Sequence, residues 1–197
     1  MSEGEFPLGD GLWNGQALKD IRKRMLQDQE VPECSFCRQN TNYWEYFNRG
    51  GAFENREVLQ RHTEEDGTTS LTPVSFDYRV TNLCNFKCQM CGGRSSSKWA
   101  KKVSPRDKNC ENEMFTALRN SSLQDVYWAG GEPLLHSFHW EFMEELVEHP
   151  NVDRFKIRYS TNLSLLKYRH LHFGQDIVSK LKLSLIHISE PTRPALI

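Results

Sequence analysis

Three cysteines in the run Cys84-Asn85-Phe86-Lys87-Cys88-Gln89-Met90-Cys91 carry the most distinctive chemistry of this chain. Their spacing, C-x3-C-x2-C, puts three thiolates on one short loop. Such a set can grip a cuboidal iron–sulfur cluster by three irons and leave the remaining iron open to a substrate. A closed structural metal site uses four protein ligands, so a group of three suggests reactivity. Taken alone, the triplet also fits a zinc site completed by a distant fourth ligand.

A second feature is Gly130-Gly131-Glu132-Pro133. Paired glycines remove side chains where a ligand must approach the backbone. Glu132 offers a carboxylate for a charge-assisted hydrogen bond. Pro133 fits the first position of a following helix. On its own the run is merely a turn. His136 and His139 stand three apart and imitate a metal pair, but they read as ordinary helix residues, and Cys110 reads as a plain thiol. The aromatic cluster Tyr43, Trp44, Tyr46 and Phe47 reads as local packing.

The elements that must position these groups follow from periodicity. Residues 12–29 predict a helix with Asn14 as N-cap, Leu18, Ile21 and Met25 on one face, and Leu26 beside them. Pro32 stops it. Residues 40–70 read as a short helix and a linker. Val74–Val80 alternates and predicts a strand, as do Asp125–Ala129 and the run through Phe155, Ile157 and Tyr159, which ends at Thr161-Asn162. Helices are expected over Ser95–Lys102, Glu111–Arg119 and Leu134–Glu148, and helical turns around Leu165–His172 and Ile177–Leu181. Strand and helix therefore alternate from Val74 onward, which predicts parallel strands with crossover helices. In such folds chemistry gathers at the C-terminal ends of strands. The cysteine loop, the Gly-Gly-Glu turn and Thr161-Asn162 each follow such an end, so all three should meet.

With C-x3-C-x2-C after the first strand and G-G-E-P after the second, the chain resembles the radical S-adenosylmethionine (radical SAM) superfamily. The resemblance implies a 4Fe–4S cluster on Cys84, Cys88 and Cys91, whose open iron chelates the amino and carboxylate groups of S-adenosylmethionine. It implies reductive cleavage of that cofactor to a 5′-deoxyadenosyl radical, which abstracts a hydrogen from a substrate. Gly130, Gly131 and Glu132 would contact the methionine part of the cofactor. Met90 would pack on the adenine, where an aromatic is commoner, and Asn162 would reach the cofactor from the third strand. An electron donor such as flavodoxin or ferredoxin is implied as a partner. The implied fold is the N-terminal half of a partial (β/α)6 TIM-like barrel, α/β in class.

The helix L-W-N…I-R-K-R-M followed by Pro32-Glu33-Cys34-Ser35-Phe36-Cys37 resembles the twitch or SPASM-type modules of some radical enzymes. That likeness implies Cys34 and Cys37 as ligands of an auxiliary cluster, and a peptide or protein substrate. A zinc knuckle and unligated thiols stay open for this pair. A non-catalytic zinc- or iron–sulfur-binding interaction module is the alternative for the whole chain.

The chain has 197 residues, 25 Lys and Arg against 26 Asp and Glu, and a net charge of -1. That balance gives no sign of a nucleic-acid or membrane surface. No apolar run approaches the ~18 residues of a membrane span, and no secretory leader opens the chain. Six cysteines, grouped as a pair, a triplet and a single, suit metal sites in a reducing, cytoplasmic setting better than a disulfide framework. Three segments are expected: 1–70, a twitch/SPASM-like helical segment and linker; 71–182, a truncated radical SAM core; and 183–197. The last back-translates to a transposase-type sequencing adapter and is set aside from fold reasoning. A half barrel leaves an open strand edge, so the 197-residue polypeptide is expected to be marginally stable and inactive by itself.

Overall fold

The computed structural model describes residues 12–35, 56–181 and 183–188. The chain forms two compact units, Met1–Thr72 and Pro73–Ile197. Cys37 and the cluster Tyr43, Trp44, Tyr46 and Phe47 lie outside the described residues.

In the first unit, α1 spans Gln16–Leu26 and starts later than its periodicity predicts. Asn14 does not cap it. Its Nδ2 donates to the Thr69 carbonyl at 3.0 Å, and its Oδ1 accepts from Thr69 N at 3.1 Å. The N-cap is Gly15. Arg22 binds the same turn to the helix, donating to Gly67 O at 2.7 Å and to Trp13 O at 2.7 Å. The expected apolar face is not sealed: no residue of α1 is buried, and Met25 is exposed. Cys34 closes a 3-10 turn, Pro32–Cys34, and is partly exposed.

The second unit holds the site. β1 (Ser75–Arg79), β2 (Asp125–Ala129) and β3 (Lys156–Thr161) lie side by side, all parallel. The crossovers contain α2 (Lys108–Arg119) and α3 (Ser137–Val147). Alternate strand residues point to the helices, as a period of two requires. Phe76, Tyr78, Val126, Trp128, Ile157 and Tyr159 are buried there. Edge-on ring contacts seal that layer, Tyr78 on Phe138 at 5.6 Å and Trp128 on Phe142 at 5.6 Å. The opposite sheet face is polar. It carries exposed Ser75, Asp77 and Arg79, and Arg158 forks onto Asp125. No helix among the described residues is long and apolar enough to cross a membrane.

Three predicted helices come out differently. Over Leu165–His172 the chain forms an antiparallel pair, β4 (Lys167–Tyr168) with β5 (Leu171–His172), because Arg169 sits at φ 53°, where a helix cannot continue. Tyr168 there stacks on Trp140, with ring centroids 5.8 Å apart. Ser95–Lys102 keeps one helical turn, Ser97–Ala100, since Lys101 turns left-handed at φ 54°. Leu134–Glu148 splits into a 3-10 turn, Pro133–Leu135, and α3, because His136 between them is extended.

A fourth strand differs too. β6 (Leu183–Ile188), in the segment set aside from the sequence, pairs parallel with β3. A parallel edge presents unpaired amides and carbonyls to any segment of strand-forming composition. The fit is irregular, with the register shifting between Ile157 and Arg158.

The buried Glu111 carboxylate is paired. Arg106 forks onto Glu111 at 2.8 and 2.7 Å, and the Tyr78 hydroxyl donates to the same carboxylate at 3.0 Å. The two histidines do not form a metal pair. His136 Nε2 meets Thr81 Oγ1 at 3.1 Å, whereas His139 Nε2 meets the Tyr159 hydroxyl at 3.0 Å. Burial pushes the His136 ring down to about 4, helped by the Arg106 cation and opposed by Glu111. Burial, with His136 as a lesser cause, pushes His139 down to about 3. His139 Nδ1 has no hydrogen-bond partner, so a proton there would be buried unpaired.

These shifts set an acid limit. In the unfolded chain both rings take up protons near the ordinary value of about 6.5. The folded state refuses those protons until about 4 and about 3. The unfolded state therefore binds more protons over this window, and stability falls as pH drops through it. The thermal midpoint should decline steadily from about pH 7 toward pH 4. Replacing His136 with Gln should shallow that decline, as measured by calorimetry across the range.

Candidate active site

The site is built from three strand ends. The loop after β1 begins at Thr81-Asn82 and carries the cysteines. Cys84 and Cys88 are buried and Cys91 is partly exposed. Cys91 N donates to Cys88 O at 3.1 Å, which folds the second and third cysteines into one turn. Burial raises the Cys84 and Cys91 thiols above their ordinary value. The neighbouring thiols push the same way, Cys88 on Cys84 and both partners on Cys91, so the three sulfurs share one electrostatic neighbourhood. Such thiols lose their protons readily only to a bound cation.

Asn82 closes this loop at its base. Its Nδ2 donates to Gly93 O at 2.8 Å and to Lys102 O at 3.1 Å, and its Oδ1 accepts from Ser104 N at 2.8 Å. Its carbonyl accepts from Ser97 N at 2.6 Å. One buried amide thus gathers the whole segment from Cys84 to Ser104. Ser96 Oγ donates to Phe86 O at 2.7 Å, and Trp99 Nε1 donates to Cys88 O at 2.9 Å. Replacing Asn82 with Ala should strand two carbonyls and an amide, at ~1–3 kcal/mol for each group left unpaired. The expected result is a lower melting point and reduced iron uptake, read by calorimetry and iron assay.

The turn after β2 is locked onto that loop. Gly131 N donates to Thr81 O and Glu132 N to Leu83 O, both at 2.8 Å. Gly130 adopts φ +113°, and a Cβ on Gly131 would fall 2.1 Å from Leu83 O. The close approach that requires these glycines is therefore made by the chain's own cysteine loop.

Glu132 is buried and ties the third strand to the turn. Its Oε1 accepts from Thr161 Oγ1 at 2.6 Å and Leu134 N at 3.1 Å, and its Oε2 accepts from Asn162 N at 2.6 Å. A carboxylate has about four acceptor positions, so Oε2 keeps one in reserve. Asn162 Nδ2 then reaches Asn85 Oδ1 at 3.1 Å and Cys84 Sγ at 3.9 Å. Phe86 N also donates to Cys84 Sγ at 3.4 Å. Cys84, Glu132 and Asn162 are thus linked by direct hydrogen bonds. Met90 lies on the same loop, 78% exposed.

Among the described residues, no three His, Cys, Asp or Glu side chains close on one point as a single metal ion would require. A cuboidal cluster asks for something else, one thiolate per iron corner with N–H donors to the sulfurs. An all-sulfur donor set on one loop, with two N–H groups aimed at Cys84, fits that group. Asn82, Thr81, Ser96 and Trp99 carry no spacing signal. Their roles come from hydrogen bonds between positions ten to fifty-five apart, such as Thr81 to His136.

A family model described as the radical SAM superfamily matches residues 78–189. An S-adenosylmethionine-dependent nucleotide dehydratase of Siniperca chuatsi is 25% identical over 125 residues, covering 62% of this chain and 34% of that protein. A protein of the same description from Oncorhynchus mykiss is 28% identical over 80 residues, covering 41% of this chain and 21% of that protein. The chain thus spans about a third or less of the length of these curated relatives. No solved structure gives a significant match.

Proposed function

This chain belongs to the radical SAM superfamily, and from that premise we propose that it binds a 4Fe–4S cluster and S-adenosylmethionine and starts radical chemistry on a substrate. The observation that carries the reading is the hydrogen-bonded junction of Cys84, Glu132 and Asn162, drawn from three strand ends. Cys84, Cys88 and Cys91 would hold the cluster. When bound, it supplies the electron that splits a carbon–sulfur bond of S-adenosylmethionine and yields a 5′-deoxyadenosyl radical.

The protein's own share is binding and orientation. The reserve acceptor position on Glu132 Oε2 suits the cofactor's ammonium. Gly130 and Gly131 hold that carboxylate against the cysteine loop. The exposed Met90 side chain is free to cover the adenine, and Asn162 steadies Cys84 while bordering the cofactor. Donation from Asn162 and Phe86 to the Cys84 sulfur would favour its thiolate form.

For the substrate, the likeness around Cys34 and Cys37 favours a peptide or protein, with that pair holding an auxiliary cluster. A second reading, a nucleotide, is favoured by the printed descriptions of the two relatives. Anaerobic reconstitution with iron and sulfide, dithionite reduction and added S-adenosylmethionine tests the proposal. The expected product is 5′-deoxyadenosine. Zinc uptake with no such product would favour a non-catalytic module instead. Deuterium carried into 5′-deoxyadenosine from a labelled peptide, or from a labelled nucleotide, separates the two substrate readings.

A further inference from the structure

Side chains of the loop after β3 meet the cysteine loop in contacts whose direction is fixed throughout. The Ser164 backbone N–H can only donate, and it meets Asn162 Oδ1 at 2.9 Å. That contact settles which end of the Asn162 amide is oxygen. The NH2 end therefore faces the cysteine loop, donating to Asn85 Oδ1 at 3.1 Å and to Cys84 Sγ at 3.9 Å. Asn85 is settled in turn, and its own Nδ2 donates to Ser164 Oγ at 2.8 Å. Asn85 and Ser164 are exposed, whereas Asn162 is half-buried.

The backbone bends to allow this. Leu163, between Asn162 and Ser164, sits at φ 52°, a left-handed conformation that a bulky residue seldom takes. Such backbone persists where the surrounding structure over-determines it. Leu163 N donates to Thr161 Oγ1 at 3.1 Å, and Thr161 Oγ1 itself donates to the buried Glu132. The bend is thus anchored in the core at one end, and at the other it brings residues 162 and 164 together onto Asn85.

We propose that Asn85 and Ser164 are positioning residues that hold the Asn162 N–H on the Cys84 sulfur and thereby raise the reduction potential of the cluster. The inference rests on the proposed function, in which Cys84 holds one iron. On reduction the cluster gains one electron, and part of that negative charge spreads onto the cysteine sulfurs. An N–H dipole with its positive end at a sulfur favours the more negative form, one of the levers that set such potentials. The hydrogen stays on nitrogen, so no proton moves and no bond breaks. Without Asn85 the Asn162 amide keeps only the bond from Ser164 N, and its NH2 end is free to swing from the sulfur. Without the Ser164 hydroxyl the Asn85 amide is free to flip, which turns an NH2 group toward the NH2 of Asn162. Two residues that do not touch the sulfur therefore decide what it meets.

The test is a redox titration of the anaerobically reconstituted protein with dithionite and mediator dyes, in the absence of S-adenosylmethionine, read by electron paramagnetic resonance. Asn162→Ala should cut the one-electron reduction constant roughly tenfold, a fall of about 59 mV in midpoint potential. Asn85→Ala should cut it roughly threefold, within the worth of one hydrogen bond, and Ser164→Ala should shift it the same way by less. Ser164→Thr, which keeps the hydroxyl, should restore the parent potential. Asn85→Ala combined with Asn162→Ala should match Asn162→Ala alone, because both act through one N–H. Additive shifts, or one potential shared by all the variants, would overturn the proposal. If no cluster assembles on the unaltered chain, the proposed function has failed. The positioning is then read on the cluster-free, nitrogen-15-labelled protein by nuclear magnetic resonance. The two Asn162 side-chain protons should exchange slowly with solvent, and Asn85→Ala should return them to the rate of an exposed amide. Fast exchange of that amide in the unaltered protein would overturn the positioning role.

Discussion

Replacing Cys88 with Ala abolishes assembly of the iron–sulfur cluster. Each thiolate of C-x3-C-x2-C would hold its own iron corner, so two sulfurs leave a second corner bare and exposed to solvent. Even groups that only support a ligand cost ten- to a hundredfold in metal affinity. Losing a ligand itself should cost roughly a hundredfold or more. Cys88 is also buried in the loop, and its carbonyl accepts the Trp99 indole. Iron per chain and the brown absorbance should both fall to background. Cys110→Ala is the control. Burial pushes that thiol up to about 12, and it sits in the first turn of α2, away from the loop. Full iron content is expected there. A Cys88→Ala protein that keeps its cluster would refute the assignment of the trio.

Gly131→Ala should be severely damaging, although it adds a single methyl group. The new Cβ would lie 2.1 Å from Leu83 O, 2.5 Å from Leu83 C and 2.7 Å from Asn82 C. All three are backbone atoms, so no side chain can swing aside. The loop that carries Cys84 would have to move bodily. That would break the bond from Glu132 N to Leu83 O and pull the turn from the cysteines. A loss of roughly 4 kcal/mol is expected, in the range of severe steric strain. This corresponds to a fall of about 15 °C in the thermal midpoint for a unit of this size. Gly92→Ala, with nothing within 4 Å of its added carbon, should shift the midpoint very little. Equal melting curves for the two variants would show that the turn and the loop are not packed as described.

Much of the second unit is legible in the sequence, for physical reasons that differ from element to element. β1 and β3 bury one face and expose the other, so Phe76 and Tyr78, or Ile157 and Tyr159, recur every second residue. That period survives any tertiary context. The strand order follows from alternation with helices, and it brings the cysteines, the Gly-Gly-Glu turn and Asn162 to one end. The pair β4 and β5 was not legible. Leucines at 163, 165, 166 and 171 imitate helical spacing, and only the left-handed backbone at Leu163 and Arg169 reveals the bends. Asn82 was not legible either, since its partners Gly93, Lys102 and Ser104 are fixed by how the loop closes. The glycines were legible as a close approach, but the approaching group is Leu83 O. Met25 has the spacing of a core residue yet is exposed, as helical period alone cannot say whether a partner covers the face.

The most direct test asks whether the cofactor reaches the bare corner of the cluster. S-adenosylmethionine labelled with nitrogen-15 at its amino group is added to the reduced, reconstituted protein, and electron–nuclear double resonance is recorded at low temperature. A strong coupling from the labelled nitrogen, absent after Cys88→Ala, is the predicted result. A reduced cluster with no coupling to the label, or a protein that binds only zinc, would contradict it.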